Sequence, residues 1–418
     1  MAESAGSADR QCQVLIVGGG MAGASLALAL SHHAPGLSVA VVESAPITPG
    51  VSPHEQYQPS YDARATALAY GSRLIYEDLG LWSAIAEGAT PIRHIHVSER
   101  GRFGSTRMDA AEHDQDALGY VVDNAWLGLN LVSALGRADL QWLCPARVLS
   151  AHSSSDGAGV RIERDGGTED WHCDLLVVAD GGRSGLRETL GFSVERREYD
   201  QHALVATVTT SRPHEGVAYE RFTDNGPVAL LPHRRSHDYA LVWTMPAAEV
   251  ERRMALDDRA FLKELQGLFG WRRGRFVQVG QRHSYALGLE QAPDPARPGV
   301  VLVGNAAHAL HPVAGQGFNL ALRGLMRLSA CLGQAHHQGL PLSDLHTLRP
   351  YLEEHQQDVD AIVGFSDGIV RVFSGSGGFP GHIRDLGLLA LDAVPGARHW
   401  LARQNMGLNR RRSSLGHE

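Results

Sequence analysis

Cysteine is scarce in this 418-residue sequence, which contains only Cys12, Cys144, Cys173 and Cys331. The four lie far apart and form no Cys-x-x-Cys pair, so neither a zinc ribbon nor a redox dithiol is predicted, and a reducing compartment is the simplest interpretation. Long apolar runs are absent too. Since no stretch of about 18 apolar residues occurs and the N-terminal residues are polar, we expect neither a spanning helix nor a signal peptide. The expected protein is cytoplasmic, and peripheral contact with the inner face of a membrane stays open.

An excess of positive charge is also lacking. The 38 Lys and Arg residues are outnumbered by 46 Asp and Glu residues, and the formal net charge is -8. No basic surface for phosphate binding is therefore predicted, and nucleic acid is not an expected partner. Hydrophobic residues make up 43% and charged residues 20% of the chain, which is typical of a globular enzyme. The length allows two domains.

A strand, a helix and a second strand are predicted in succession near the N-terminus. Residues 14–17 form a short, continuous apolar run that ends on a glycine, as a strand buried on both faces does. Residues 21–30 are rich in Ala and Leu and predict a helix, and residues 39–42 repeat the buried-strand pattern. Together they predict a compact βαβ unit.

The turn of this unit carries a Gly-x-Gly-x-x-Gly motif. Gly18 permits the tight turn, Gly20 lets the backbone approach a pyrophosphate, and Gly23 allows the helix to pack closely on the strand. Glu43, at the end of the second strand, can accept hydrogen bonds from a ribose. The alternative is a glycine turn without function, but the complete strand, helix, strand and acid context favours dinucleotide binding.

A second motif follows the predicted buried strand at residues 175–179. It contains Asp180, two glycines, Ser184 and Arg187. Polar groups at the open end of a parallel strand suit contacts with a cofactor. Ser184 can equally serve as the cap of the following helix, and the pattern leaves both interpretations open.

A third motif follows the predicted buried strand at residues 300–303 and runs through residue 319. Its proline and glycines precede an Ala- and Leu-rich helix, which predicts a loop that brings backbone against a flat ligand and directs a helix N-terminus at it. His308 and His311 have a spacing that suggests a metal pair. Zinc sites need three or four ligands, and no further ligand stands beside them, so no metal site is predicted.

The remaining pattern predicts more helices and an antiparallel sheet. Residues 64–81 and 121–135 have helical spacing, and helices are expected beyond about residue 320. Between residues 199 and 245 polar and apolar residues alternate, which is typical of an antiparallel sheet. We expect this sheet to form the floor over a substrate, although core packing is the competing interpretation for each candidate lining residue. These candidates are Phe222, Leu230, Leu231, Pro232 and Trp243.

Over nearly the whole chain, the three motifs in this order resemble the class A flavoprotein monooxygenases, the para-hydroxybenzoate hydroxylase family. Asp180, Gly181, Ser184 and Arg187 occupy all four positions of the family's second motif, which serves FAD and NAD(P)H pyrophosphate contacts there. The resemblance implies an α/β fold, with an FAD-binding Rossmann-like (GR2-type) domain, an inserted antiparallel-sheet substrate domain and C-terminal helices. The expected division is residues 11–80, 100–195 and 286–345 for the FAD-binding domain, 81–99 and 196–285 for the substrate domain, and 346–418 for the C-terminal helical region.

Four segments more narrowly resemble the ubiquinone-biosynthesis hydroxylases, especially their 2-polyprenyl-6-methoxyphenol hydroxylase (UbiH) branch. They are residues 61–68, 304–307, 311–320 and 395–407. Two residues depart from the usual pattern. Asn305 stands where most relatives carry an Asp that holds ribityl or ribose hydroxyls, whereas UbiH-like members carry an Asn there. Gly324 replaces an Asp in the following helix. Because glycine inside a helix costs about 1 kcal/mol relative to Ala, we expect a less rigid segment or a more weakly held flavin.

The resemblance implies an FAD-dependent enzyme in which NAD(P)H is the expected electron donor. With O2 it would hydroxylate a polyprenylated phenol through a flavin C4a-hydroperoxide. His311 is either a general base or a loop-packing residue. The residues expected to contact FAD are Gly18, Gly20, Gly23, Glu43, Arg64, Asp180, Asn305 and Asn319, and those expected beside the flavin ring are Pro312, Gly315, Gln316 and Gly317.

Several alternatives remain open. A nicotinamide dehydrogenase leaves the second and third motifs unexplained, and a halogenase usually carries a Trp-x-Trp-x-Ile run that is absent from this sequence. A flavin reductase and a class A hydroxylase of another phenol also remain. A structural member of a complex with other ubiquinone-biosynthesis proteins is favoured only by Asn305 and Gly324. The six arginines in residues 383–412 predict either membrane docking or a helix with a solvated basic face.

Overall fold

The computed structural model describes residues 10–58, 60, 64–101, 105–182, 184–309, 316–373, 403 and 406–408. The predicted ring contacts Pro312 and Gly315 lie outside this part, as does His311, the candidate general base or loop-packing residue. Most of the arginine-rich stretch at residues 383–412 also lies outside it. Within the described ranges, no helix combines the length and the apolar character needed to cross a membrane.

The strands of the described residues are numbered in chain order. They are β1 (Arg10–Val17), β2 (Val39–Val42), β3 (Ala65–Ala69), β4 (Ala89–Ile92), β5 (His94–Glu99), β6 (Ser105–Asp109), β7 (Gly119–Asp123), β8 (Gln141–Leu143), β9 (Ala146–Ser154), β10 (Gly157–Arg164), β11 (Gly167–Val178), β12 (Glu195–Thr210), β13 (Val217–Thr223), β14 (Gly226–Pro232), β15 (Asp238–Pro246), β16 (Phe276–Val279), β17 (His283–Gln291), β18 (Ala296–Arg297), β19 (Val300–Leu302) and β20 (His308–Ala309).

The helices follow the same order. They are α1 (Met21–His33), α2 (Pro53–Gln56), α3 (Tyr70–Asp78), α4 (Trp82–Ala86), α5 (Asn124–Leu135), α6 (Leu186–Thr189), α7 (Ala247–Met254), α8 (Asp258–Phe269), α9 (Gln316–His337) and α10 (Leu345–Phe373).

A parallel sheet with the strand order β19-β11-β1-β2-β8 forms the centre of the first layered unit. Successive side chains of a strand point to opposite faces of the sheet. Both faces of this sheet are covered by other elements. Val14 and Ile16 pack in one cluster with side chains of α1, α5 and α9. Leu15 and Val17 pack in another with β9, β10 and α6. The predicted Rossmann-like arrangement is confirmed.

A larger antiparallel sheet has the strand order β20-β17-β12-β15-β14-β13-β5-β6, with β16 also paired to β12. Within it β13 and β5 run parallel to each other. Alternate side chains of its central strands pack against α7 and α8, and Trp243, Leu230 and Phe261 belong to this cluster. The sheet includes β6 and β20, which the division by sequence assigned to the FAD-binding segments.

A small sheet has the order β3-β7-β4. It packs against the antiparallel sheet, because Ile92 and Val121 share an apolar cluster with Ala218 of β13. At its edge Asp123, fully buried, accepts hydrogen bonds from the hydroxyl of Tyr57 and from Nε2 of His233 at 2.6 Å, and pairs with Nη1 of Arg234 at 3.5 Å. Burial opposes ionisation of this carboxyl, but the hydrogen bonds from His233 and Tyr57 hold its pKa below the usual value. The cluster joins the small sheet to the loop between β14 and β15.

Two predicted helices begin later than their spacing indicated. Residues 65–69 form β3 and residues 119–123 form β7, and the two strands pair with each other in antiparallel register before α3 and α5 begin. The sequence Ala-Thr-Ala-Leu-Ala of β3 favours a helix locally. Its pairing with β7 overrides that preference, as tertiary context often does.

The last described residues return to the body of the protein. Met406 is 1% exposed and belongs to the same apolar cluster as α1 and α9. Its carbonyl oxygen accepts a 2.7 Å hydrogen bond from the amide N–H of Gly71, in the first turn of α3. This part of the C-terminal region is therefore packed on the protein.

Candidate active site

A cavity of about 1190 Å³ lies between the ends of the parallel strands and one face of the antiparallel sheet. Its volume is above the range of about 300–1,000 Å³ that is usual for small-molecule sites, so it has room for a dinucleotide and a second ligand. The cavity brings together residues of all three sequence motifs. The predicted cofactor-binding residues that line it are Gly18, Gly20, Glu43, Arg64, Asp180, Asn305, Gln316, Gly317 and Asn319.

The first glycine turn has a separate requirement at each glycine. Gly18 has φ +101°, a left-handed conformation that favours glycine. A Cβ at Gly23 would lie 1.8 Å from the carbonyl oxygen of Gly18, so a side chain cannot fit where the helix meets the turn. A Cβ at Gly20 would meet no atom within 4 Å. Gly23 therefore serves packing, whereas Gly20 keeps space clear in the cavity.

The N-terminus of α1 fits an anion. Its first turn has no acidic residue, and no side chain caps it. The amide N–H groups there have no partner within the helix, and the helix dipole favours negative charge at this end. A pyrophosphate therefore fits the residues that are present.

Glu43 both organises the turn and lines the cavity. Its carboxylate accepts hydrogen bonds from the amide N–H of Gly19 at 2.7 Å and of Ala45 at 2.6 Å. The Ser44 hydroxyl also donates to it at 3.5 Å. Carboxylate oxygens have about four acceptor positions in total, so one further hydrogen bond, as from a ribose hydroxyl, is possible.

The second motif folds around the carboxylate of Asp180. This carboxylate accepts from the amide N–H of Gly182 at 2.8 Å and of Ser184 at 3.2 Å, and from the Ser184 hydroxyl. The Ser184 Oγ in turn accepts from the amide N–H of Leu186 at 3.1 Å. The N-cap residue of α6 is Gly185 and no side chain caps that helix, so Ser184 bonds to its first amide from outside the cap position. Both Asp180 and Ser184 line the cavity.

Arg187 connects the second motif to the third. Its side chain is 4% exposed and donates to the carbonyl oxygen of Ala306 at 3.3 Å. It also forms ion pairs with Glu188 at 3.2 Å and Glu290 at 3.4 Å. The arginine holds the turn that contains Asn305 against α6.

The third motif begins with the turn Gly304–Ala306, directly after β19. Gly304 has φ +57°, and the exposed Asn305 lines the cavity. Gln316 and Gly317 lie in the first turn of α9 and also line it. The positive end of the α9 dipole therefore lies at the cavity and favours negative charge on a ligand there.

Asn319 lines the cavity, but its side-chain amide is used within the protein. Its Oδ1 accepts from the Ala69 amide N–H at 2.8 Å and the Ser72 hydroxyl at 2.7 Å. Its Nδ2 donates to the carbonyl oxygen of Ala67 at 2.9 Å. The side chain thus fixes β3 against α9, a positioning role that the sequence prediction of cofactor contact did not include.

His308 is buried below the cavity and gives no support for a metal site. Burial lowers its pKa to about 4, and its ring lies 5.0 Å from that of His355. In the described part of the chain, His32, His33 and Asp78 are close enough together to hold a metal ion. None of the three lines the cavity.

Gly324 allows α10 to pack closely on α9. A Cβ there would lie 2.5 Å from Cε1 of the His355 ring. Asp358, also on α10, accepts from Arg323 at 3.0 Å and Arg327 at 2.9 Å. The missing side chain at Gly324 therefore makes room for an imidazole from the neighbouring helix. The expectation of a less rigid segment or a more weakly held flavin stays a prediction.

The antiparallel sheet forms the opposite wall of the cavity. Of the five candidate lining residues, Leu231 lines the cavity. Leu230 and Trp243 point to the other face and pack with α7 and α8, and Phe222 and Pro232 are buried outside the lining. The prediction selected large apolar side chains, whereas the alternation of the strand decides which ones face the ligand. Lining residues that it missed are Glu220, Ala229, Val242, Thr244 and Tyr285.

Comparison with known proteins gives matches over most of the chain. Residues 11–347 match the family model described as FAD binding domain. The ubiquinone hydroxylase UbiL of Rhodospirillum rubrum is 34% identical over 403 residues, which cover 96% of this chain and 91% of the relative. The 3-demethoxyubiquinol 3-hydroxylase of Escherichia coli is 29% identical over 398 residues, with coverage of 95% and 98%. In fold, the chain resembles p-nitrophenol 4-monooxygenase PnpA from Pseudomonas putida, with a TM-score of 0.73, 17% identity and coverage of 96% and 99%.

Proposed function

This chain belongs to the FAD binding domain family, and from that premise we propose that it hydroxylates the aromatic ring of a polyprenylated phenol in ubiquinone biosynthesis. It is an FAD-dependent aromatic monooxygenase that uses NAD(P)H and O2. The resemblance around Asn305 favours a substrate of the 2-polyprenyl-6-methoxyphenol class. The relatives named as ubiquinone hydroxylases support the pathway.

The observation that carries the proposal is one cavity with two unlike ends. Gly18, Gly20 and Glu43 lie at the end formed by the parallel sheet, where the N-terminus of α1 suits a pyrophosphate. Gln316 and Gly317 lie at the start of α9. A dinucleotide that spans from α1 to α9 would present its ring system beside the antiparallel sheet.

When bound, FAD supplies the oxygen-transfer chemistry, by the route that the family resemblance implies. The chain's own residues bind, orient and exclude water. The α9 dipole stabilises negative charge at the ring, and Pro312 and Gly315 are proposed to lie beside it. Asn319 and Arg187 position the segments that carry the contact groups, through their hydrogen bonds to β3 and to Ala306.

The wall opposite the proposed ring position suits a prenylated phenol. It is largely apolar, and its side chains belong to β5, β12, β14 and β15. Such a surface gains free energy by burying an isoprenoid chain, at roughly 25 cal/mol per Å² of apolar area removed from water. Apolar side chains of this wall include Ile95, Val97, Val205, Leu231 and Val242.

Complementation tests the proposal. The chain is expressed in a bacterial strain that lacks its own ubiquinone ring hydroxylases, and the quinones and precursors are identified by mass spectrometry. We expect ubiquinone to return with the unchanged chain and not with Gly20→Val, which fills the space kept clear at the turn. The visible spectrum of the purified protein is recorded in parallel.

The outcomes separate the alternatives. A yellow protein that consumes NAD(P)H with simple phenols but restores no ubiquinone is a class A hydroxylase with another substrate. A colourless protein whose melting temperature FAD does not raise is a structural member of a quinone-biosynthesis complex. Either result would overturn the proposed function.

A further inference from the structure

Glu220 is a carboxyl group within the largely apolar wall of the cavity. It lies on β13, and its Cα partners are Val97 on β5 and Ala229 on β14. Ala229 is paired in turn with Val242 on β15, and Val242 with Val205 on β12. All five residues of this row line the cavity. A single ionisable side chain thus stands in a row of alanine and valine that crosses the sheet.

No structural partner accounts for Glu220. Among the described residues, no hydrogen bond or ion pair to its side chain is formed, and burial is the sole cause that raises its pKa, to about 7. Asp123 shows the contrast, because its buried carboxyl is held by Tyr57, His233 and Arg234. Burying a polar group without a partner is unfavourable, so such a group that opens into a cavity points to a ligand.

In the part of the chain that the structure describes, no neighbouring charge contributes to the raised pKa of Glu220. The other ionisable residues that line the cavity are Glu43, Arg64, Arg147, Asp180, Tyr219 and Tyr285. On β5 the next residue of the same parity after Val97 is Glu99, whose Cα partner is Phe222. On β15 Asp238 accepts a 2.6 Å hydrogen bond from the hydroxyl of Thr209, and β14 has no titratable residue. Arg221, the neighbour on β13, donates to the carbonyl oxygen of Phe269. The surroundings of Glu220 toward the cavity are therefore apolar on both flanking strands.

We propose that Glu220 is the catalytic residue that binds the phenolic hydroxyl of the substrate and accepts its proton as the ring is hydroxylated. This inference rests on the proposed function and deepens it. In the step the phenol O–H bond breaks, an O–H bond to the Glu220 carboxylate forms, and the electron pair stays on the phenol oxygen. The phenolate is more electron-rich at the ring carbon that receives oxygen. When the ring becomes aromatic again, Glu220 returns a proton to that oxygen, and the proton on the new C–OH carbon passes to water.

The environment of Glu220 suits this role. A phenol such as that of tyrosine has a pKa of about 10, and an exposed glutamate one of about 4.3. Burial raises the pKa of Glu220 toward that of the phenol, and a general base works best when its pKa lies near the operating pH. The carboxylate becomes available as the pH rises through about 7, and the apolar residues of its row leave it to bind a ligand.

The test uses the full-length FAD-loaded enzyme with a short-chain prenyl phenol. Glu220→Gln keeps the shape without the base, and Glu220→Asp keeps the acid. Glu163→Gln, on the exposed side of β10, is the matched control. We expect kcat/KM of the unchanged enzyme to rise through pH 7. We expect kcat/KM of Glu220→Gln to be about 10²-fold lower and independent of pH. Glu220→Asp should retain the rise of kcat/KM with pH, and Glu163→Gln should match the unchanged enzyme. Wild-type kcat/KM and an unaltered pH profile in Glu220→Gln would overturn the assignment.

A second measurement does not depend on turnover. In the folded protein the pKa of Glu220 lies above its unfolded value, so the destabilisation from its buried charge is absent below about pH 4.3 and complete above about pH 7. The melting temperature of Glu220→Gln relative to the unchanged protein should therefore increase over that interval. If it does so while the unchanged enzyme hydroxylates no prenyl phenol, the proposed function fails but the buried carboxyl stands. If the difference is independent of pH, the inference fails by itself.

Discussion

The parallel and antiparallel sheets reach the same cavity by different means. At the parallel sheet, turns after strand ends bring main-chain groups to the ligand space, and Gly18 and Gly304 have positive φ there. At the antiparallel sheet, alternate side chains of β13, β14 and β15 form the wall. The cofactor end therefore depends on backbone conformations that favour glycine. The substrate end depends on side chains, which can change without disturbing the strands.

The largest expected effect separates two glycines of the first turn. Gly23→Ala places a Cβ 1.8 Å from the Gly18 carbonyl oxygen, so both FAD binding and stability should be lost. Gly20→Val should lose FAD while the apoprotein keeps its melting temperature, because nothing lies within 4 Å of the new Cβ. Flavin absorbance and thermal unfolding measure the two effects. Gly128→Ala, on α5 with the same open space around the new Cβ, is the control that should keep FAD. Equal losses of melting temperature in Gly20→Val and Gly23→Ala would contradict the separate roles of the two glycines.

A neighbouring pair on β14 applies the same comparison to the substrate end. Leu230→Ala truncates a fully buried side chain that packs with α7 and α8, which should lower the free energy of unfolding by about 2–5 kcal/mol. Leu231→Ala removes a cavity-lining side chain, and we expect a smaller loss of stability together with a higher KM for the phenol. Denaturant unfolding and steady-state kinetics distinguish them. A larger loss of stability in Leu231→Ala, together with a higher KM in Leu230→Ala, would mean that Leu230 and not Leu231 faces the cavity.

A smaller effect is expected where α10 packs on α9. Gly324→Ala gains about 1 kcal/mol of helix propensity, but the new Cβ meets the His355 ring at 2.5 Å. Overpacking of this kind costs about 1–3 kcal/mol, so net destabilisation is expected. His355→Ala combined with Gly324→Ala should recover part of the loss. A double-mutant cycle in chemical denaturation without coupling would contradict the contact.

The smallest effect concerns Asp123 and depends on pH. Because its pKa is lowered in the folded protein, the ionised carboxyl contributes stability that is present above its unfolded pKa of about 3.9 and is lost as the pH falls through the folded value. Asp123→Asn should therefore be less stable than the unchanged protein at neutral pH, and the gap should narrow in acid. Melting temperatures between about pH 2 and pH 5, roughly the interval in which such a carboxyl titrates, provide the measurement. A gap that stays constant would exclude the carboxyl charge as its source.

The fold and the cofactor end could be predicted because their signals are local. A continuous apolar strand, a glycine at each special turn and an acid after the second strand stand together within residues 14–43. The hydrogen bonds by which the Asn319 side chain fixes β3 against α9 could not be predicted in this way. Its partners Ala67 and Ala69 lie about 250 residues away in the chain. Their strand was itself assigned to a helix, because the pairing with β7 is invisible in local propensity.

The side chains that line the substrate wall were harder to predict than the cofactor end, because the strands of this wall are apolar on both faces. β14 reads Gly-Pro-Val-Ala-Leu-Leu-Pro, and nothing in that run marks which of Leu230 and Leu231 faces the ligand. Glu220 had a signal, since it follows Ala218 at strand spacing. Strand alternation places Glu220 and its neighbour Arg221 on opposite faces. Only the sheet register shows which of the two faces lines the cavity.

The return of Met406 to α3 limits how the arginine-rich C-terminal stretch can be studied. Shortening the chain before Met406 would remove the acceptor of the Gly71 amide and uncover apolar side chains next to β3. A truncated protein that fails to float with liposomes would then report damage to the cofactor end as readily as a lost membrane contact. Replacing Arg410, Arg411 and Arg412 by glutamine leaves that anchor in place. Attachment to lipid thereby becomes a question of charge instead of chain length.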